Sequence, residues 1–212
     1  MHLIKLNSAI ASILAPAYEP CGEFKRACVE MCWRPESGHV PRGFLGAAGE
    51  LGEVELVLVF AEPGDPHDKE QHSGLQSAYM YATFAFQSGR DLFHRNVRKI
   101  LDMCWPTLSF EQQMRKAWLT ESVLCSARKE GASVPAASSH ACGQRYLLAQ
   151  LQLFPKALVV ALGGKAQNRL RAIGFTSFIS AFAVAPPGCN RREAYASWEQ
   201  IPIALQLRQT SA

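Results

Sequence analysis

The chain has 212 residues, 48% of them apolar, which is enough to bury one sizeable core, so a single domain spanning 1–212 is expected. Its formal charge of +4 is a mild basic excess that suits a polyanion partner and an ordinary soluble protein equally well. No apolar run approaches the ~20 residues of a membrane helix, and residues 3–14 lack the core and cleavage site of a signal peptide, so a cytoplasmic protein without a membrane partner is expected. Seven cysteines, an odd number in a chain too large to need disulfide staples, argue against a secreted framework and leave reduced thiols or a metal site.

Residues 1–52 read as N-terminal helices and a loop. Leu3 to Leu14 has helical character and is stopped by Pro16 and Pro20; Phe24 to Trp33 is a second short helix. Arg34 to Gly52 holds Pro35, Gly38, Pro41, Gly43, Gly46, Gly49 and Gly52, a punctuation that predicts a loop. Val54 to Phe60, apolar except for Glu55, has the pattern of a buried parallel strand and ends in the turn signal Ala61-Glu-Pro-Gly-Asp-Pro66. Beyond the polar stretch His67 to Gly74, helical spacing runs from Leu75 to Cys104 with a break near Ser88-Gly-Arg-Asp91. There Phe93, Val97, Ile100 and Leu101 share an apolar face.

A helix over Phe110 to Lys116 precedes a second strand, Ala117 to Leu124. Cys125 to Ser139 is a loop in which Ser138 or Ser139 can cap a helix running to Leu151 and ended by Pro155. Leu158 to Leu162 is the third strand, and Gly163-Gly164 admits a helix over Lys165 to Ile173. Ala181 to Ala185 is a short fourth strand leading into Pro186-Pro-Gly-Cys-Asn190, and a last helix covers Arg191 to about Gln200. Strands alternating with helices at this spacing predict an α/β fold, a three-layer α/β/α sandwich around a central, mainly parallel four-stranded sheet. Function belongs at the carboxyl ends of its strands.

Three loops follow strands there: Ala61-Glu-Pro-Gly64, Glu121-Ser-Val-Leu-Cys125 and Ala185-Pro-Pro-Gly-Cys-Asn-Arg191. Cys125, a polar loop, Cys142 opening an amphipathic helix, and a buried strand ending at Gly163 together resemble the uracil-DNA glycosylase superfamily, closest to its iron–sulfur, family 4/5-like branch. The most specific part is Ala141 to Ala166, which looks like that family's ACGxxLLAQIxxxxPxVIVALGxxA segment, and the likeness extends from Cys28 to Trp198. It implies DNA as partner, a flipped base as substrate and a monomer.

Under that resemblance, Glu62 stands where the family has the Asp or Asn that positions or deprotonates the attacking water, and Gly64 borders the base. A carboxylate there can act as base and stabilise positive charge on the sugar; the alternative is a carboxylate that only caps the following turn. Glu121 matches the family's base-reading asparagine. An ionised carboxylate only accepts hydrogen bonds, so it would pair with an amino group or ring N–H and repel a uracil carbonyl, unless it turns aside to a neighbouring Lys or Arg. Phe93 follows Gly89-Arg-Asp-Leu, similar to the family's GRPF, whose phenylalanine stacks on the base; core packing beside Val97 is the alternative.

The third loop places Ala185-Pro186-Pro187 on the family's His-Pro-Ser, removing a donor to the leaving base that is typically worth ~3 kcal/mol of barrier. Asn190, Arg191 and Arg192 are left to touch phosphate or enter the duplex, or to be a solvated helix start.

The resemblance also implies a 4Fe-4S cluster, with Cys125 and Cys142 matching its last two ligands and Cys28 and Cys32 as the first pair. Three residues separate that pair where the family usually has two, and Cys21 is spare. Zinc would satisfy the same sulfurs, and four unrelated thiols are the alternative. Cys104, beside Trp105, reads as a small buried hydrophobe. The function expected is base-excision DNA repair by a nucleoid-associated glycosylase that hydrolyses the N-glycosidic bond of a deaminated or damaged base. The other classes are a non-catalytic relative that binds DNA or a damaged base, and a partner-binding protein with a filled cleft.

Overall fold

The computed structural model describes residues 5–19, 21–67, 70–129 and 132–210. Leu45–Gly46 (β1), Leu56–Phe60 (β2), Ala117–Glu121 (β3), Leu158–Leu162 (β4) and Ile179–Ala181 (β5) form one sheet in the spatial order β1, β3, β2, β4, β5. Strands β2 to β5 run parallel, and β1 pairs antiparallel with β3. The α/β expectation holds, with five strands rather than four.

The additional strand is β1, inside the glycine-rich stretch expected to be a loop. Gly46 has a φ of 113° and lies so close to β3 that a Cβ there would collide with the Ala117 carbonyl. The glycine that hides this strand from sequence patterning is what lets it dock. Gly46→Ala is expected to lower stability by about 1–3 kcal/mol, read as a drop in the thermal midpoint.

Each of β2, β3 and β4 is buried along its whole length, as the unbroken apolar runs of β2 and β4 predict for parallel strands, and β3 carries its Thr120 and Glu121 into the interior as well. Their register sets Phe60 beside Glu121 at the carboxyl edge, so the loops after β2 and β3 leave the sheet together. In the centre, Trp118 lies between Phe44 and Phe154, with ring centroids 6.3 Å away on each side. Its indole N–H donates to Gln150 Oε1 at 3.0 Å, the Thr120 hydroxyl donates to the same oxygen at 2.8 Å, and Gln150 Nε2 donates to the Tyr146 carbonyl. A fully buried polar group is thereby satisfied at both ends.

The helices are α1 (Ser8–Leu14), α2 (Leu75–Ser88), α3 (Leu92–Cys104), α4 (Phe110–Lys116), α5 (Ala136–Cys142), α6 (Leu148–Gln152), α7 (Gly164–Ala172) and α8 (Ala194–Thr210), with a π-helical stretch, Gly143–Leu147, joining α5 to α6. Gly89 in the left-handed conformation ends α2, and Asp91 caps α3 by accepting from the His94 amide, which explains the expected break. Helices α7 and α8 pack on β4, and α3 packs on α8. No helix among the described residues is long and apolar enough to cross a membrane.

Four other local expectations are corrected. The Leu3 to Leu14 helix begins at Ser8, with residues 1–4 and Pro20 outside the described residues. Phe24 to Trp33 forms no α-helix: a 3-10 turn at Gly22–Lys25 gives way to pairing with the loop after β3, where Met31 bridges Ala127 and Cys32 N–H donates to the Ser126 carbonyl. Ser138 and Ser139 lie inside α5, which starts after Pro135, and the Ser138 hydroxyl bonds the Ala27 carbonyl instead of capping. The fourth parallel strand ends at Ala181, where it was expected to begin, because the Phe182 amide turns to donate to Ser197 Oγ. The final helix correspondingly starts at Ala194 and continues to Thr210.

Candidate functional site

The carboxyl ends of β2, β3 and β4 open onto a cleft of about 510 Å³. One wall is the Ala61–Asp65 loop after β2, the floor includes Phe60, Glu121 and Leu162, and the far wall is the α2–α3 junction with Tyr81, Phe86, Arg90, Asp91, Phe93 and His94. Glu62, Gly64, Glu121 and Phe93, far apart in sequence, all line it, as does Ala185.

The first loop is tightly pinned. Arg42 and the Ser126 hydroxyl both donate to the Gly64 carbonyl, while Ser122 Oγ and Arg169 Nη1 donate to the Ala61 carbonyl at 2.6 and 2.7 Å. Between those anchors the Glu62 carboxylate pairs with Lys165 and, at 2.6 Å, with Arg169, both from α7. Glu62 therefore borders the cleft and clamps the loop to α7 at once.

Glu121 stands in a different environment. It is buried, its Oε2 has no hydrogen-bond partner, and it takes part in no ion pair among the described residues. Gly43, with a φ of 85°, packs directly on it; a Cβ there would stand 2.7 Å from Glu121 Cγ. Burial pushes this carboxyl well above its ordinary range, Glu62 pushes it further, and Arg169 and Arg42 offset only part of this. Glu121 is not turned to a nearby cation among the described residues, and its burial favours the protonated form, which can both donate and accept.

That protonation has a sign. A folded-state value above the unfolded 4.5 means the native chain holds a proton the unfolded chain releases, so stability is lost as pH rises from about 4.5 through the raised value. Glu121→Gln is expected to stabilise the protein at neutral pH by on the order of 1 kcal/mol, 2–4 °C in thermal midpoint. The gain grows with pH and vanishes in acid.

Phe93 belongs both to the apolar packing and to the cleft lining. It is half-buried against Phe60 and Phe86, with centroids at 5.0 and 5.8 Å, and still lines the cleft. Beside it is His94, which was not singled out from sequence. Its Nδ1 lies 2.8 Å from Asp91 Oδ1, and its ring meets Phe86 and Phe93 edge-on at 4.6 and 5.1 Å. Burial raises the Asp91 carboxyl, but hydrogen bonds from the His94 side chain and amide, with the charges of His94 and His67, outweigh it and take it down to about 2. The available signal was an Asp cap three residues before a His, which folds the imidazole back onto the helix start.

Asn190, Arg191 and Arg192 are not brought to the cleft. They are exposed, and Arg191 lines a separate depression with Gly163, Gly164 and Gln167.

The cysteines regroup. Cys21, Cys28, Cys125 and Cys142 line one small cavity of about 20 Å³ with Phe24, Met31 and Tyr146. Cys32 does not reach it; its Sγ accepts from Arg34 Nε at 3.3 Å. Burial pushes the Cys28 thiol up to about 11 and Cys142 to about 12, and neighbouring thiols add to both. Cys104 lies half-buried against the core. No group of three or more His, Cys, Asp or Glu side chains among the described residues is arranged to hold a metal ion. No family model matches the chain, and no curated protein matches it either.

Proposed function

We propose that this chain is a base-excision DNA glycosylase that takes a flipped, deaminated or damaged base into the strand-end cleft and hydrolyses its N-glycosidic bond. The observation that carries the reading is the convergence of Glu62, Glu121 and Phe93 on one cleft whose size is ordinary for a small-molecule site. Phe93 offers the face on which a base stacks, and Glu62 holds the attacking water and opposes positive charge on the sugar. Gly64, its own carbonyl held by Arg42 and Ser126, lines the cleft two residues beyond Glu62. Arg90 at the cleft and Arg191 and Arg192 outside it supply phosphate contacts, so duplex affinity falls steeply with salt.

The scaffold we infer is the three-layer α/β/α sandwich of the uracil-DNA glycosylase superfamily, acting as a monomer on nucleoid DNA in the cytoplasm. Its iron–sulfur branch implies a 4Fe-4S cluster. Cys21, Cys28, Cys125 and Cys142, rather than Cys32, line one cavity with soft donors of the kind such a group takes, and they would have to draw together from their present arrangement to hold it. The cluster would be structural, tying the N-terminal segment to the loop after β3. Protein purified without oxygen should carry iron and sulfide and absorb in the visible, and Cys21→Ser should lose both where Cys32→Ser keeps them.

The decisive assay is abasic-site formation on duplexes carrying uracil, hypoxanthine, xanthine or a mismatch. Abasic product from any of them supports the enzyme. Its absence from all, with DNA binding retained, supports the second reading, a non-catalytic base binder, which is favoured by the clamp of Glu62 to Lys165 and Arg169.

A further inference from the structure

We infer that Glu121 is the acid of this cleft, delivering a proton to the departing base while Glu62 receives one from water; the inference rests on the glycosylase reading above. Strands β2 and β3 pair with Phe60 opposite Glu121, so Glu62 emerges two residues beyond the neighbour of Glu121, and both side chains line one cleft. Their surroundings are opposite. Glu62 meets two cations of α7, whereas Glu121 is shut in, with an unpartnered Oε2 and no ion pair among the described residues.

Three charged groups face Glu121: Glu62 from the loop after β2, Arg169 from α7, and Arg42 from the segment before β1. Both arginines are committed elsewhere. Arg169 binds Glu62, the Ala61 carbonyl and Ser122 Oγ, and Arg42 binds Glu70 and the Gly64 carbonyl. Burial, and after it the neighbouring Glu62 with both cations occupied, favour the protonated form of this carboxyl. One carboxyl paired with two cations, beside another shut in with an unpartnered oxygen, is an arrangement by which a base and an acid are set side by side.

The step balances. The C1′–N bond breaks with its electron pair moving to the base, where charge gathers on a carbonyl oxygen or ring nitrogen, and the Glu121 proton goes there. Water oxygen bonds to C1′ and its proton passes to Glu62. The products are a neutral base and a C1′ hydroxyl, with Glu121 ionised and Glu62 protonated until solvent exchange restores both. The substrates favoured are bases that leave poorly and carry a carbonyl oxygen or ring nitrogen able to take the proton. His94 is the competing donor, but its Nδ1 faces Asp91 and its ring is held between Phe86 and Phe93.

The test is single-turnover base release from duplexes carrying deoxyuridine or its 5-fluoro analogue, whose base leaves without protonation more readily. Glu121→Gln keeps the size and hydrogen bonding of the side chain but cannot transfer a proton. It should slow deoxyuridine cleavage by about 10²–10³-fold, slow the fluorinated substrate by less than about tenfold, and lose the decline in rate at alkaline pH. Equal loss on both substrates, an unaltered alkaline limb, or the same leaving-group signature in His94→Asn instead would overturn the assignment while leaving the glycosylase intact. Wild-type protein that releases neither base overturns the glycosylase reading and the acid with it.

Discussion

Glu62→Gln is expected to slow base release by about 10²–10⁴-fold in single turnover while leaving duplex binding in place. The amide fills the same space, and its single oxygen can face Lys165 or Arg169 but not both; it cannot take a proton from water or oppose a sugar cation with full charge. The two ion pairs create a rival outcome that the same variant exposes. If the carboxylate serves only to clamp the loop to α7, the substitution leaves the buried Arg169 without its counter-ion. The loss then falls on stability, by up to several kcal/mol, with activity declining only as the folded fraction does. Measuring rate and thermal midpoint on one preparation separates the two: a large rate loss at nearly constant midpoint supports catalysis, and the reverse refutes it.

Trp118→Ala is expected to cost about 3–5 kcal/mol, the usual range for deleting a large aromatic from a closed core, measured by denaturant unfolding. The indole is fully buried between Phe44 and Phe154, and its removal also deprives Gln150 of one of two donors. Its position makes the loss more than a matter of stability. Trp118 and Glu121 share β3, whose register with β2 brings Glu121 beside Phe60, so a loosened strand should weaken the site even in the folded fraction. Trp118→Phe, which keeps most of the volume, should lose less stability and retain activity.

Much of the fold was legible because particular residues carry local instructions. Gly89 and Asp91 end one helix and start the next, Ser109 and Gln112 form a reciprocal cap, and Leu158 to Leu162 is a strand from end to end. What escaped was decided by distant parts of the chain. The strand at Leu45–Gly46 exists because β3 accepts it, and Met31 to Cys32 left helix for pairing with Ser126 and Ala127. The site divides in the same way. Glu62, Phe93 and Glu121 were singled out through the resemblance, whereas the surroundings of Glu121 are set by Gly43, Glu62, Arg42 and Arg169, which no window around it contains. Cys21 looked superfluous by spacing, although folding sets it with Cys28, Cys125 and Cys142. Arg191 and Arg192 follow a strand that stops at Ala181, where the pattern had it begin.

The sheet's outer margins carry one more consequence. Its three inner strands have five residues each, but the edges are closed by β1 with two residues and β5 with three. A strand arriving from another molecule finds too little continuous backbone at either margin to extend the ladder, so the long apolar strands of the interior are never offered as a template. The two-residue strand made possible by Gly46 thus guards against aggregation, and loosening it exposes the β3 edge to self-association.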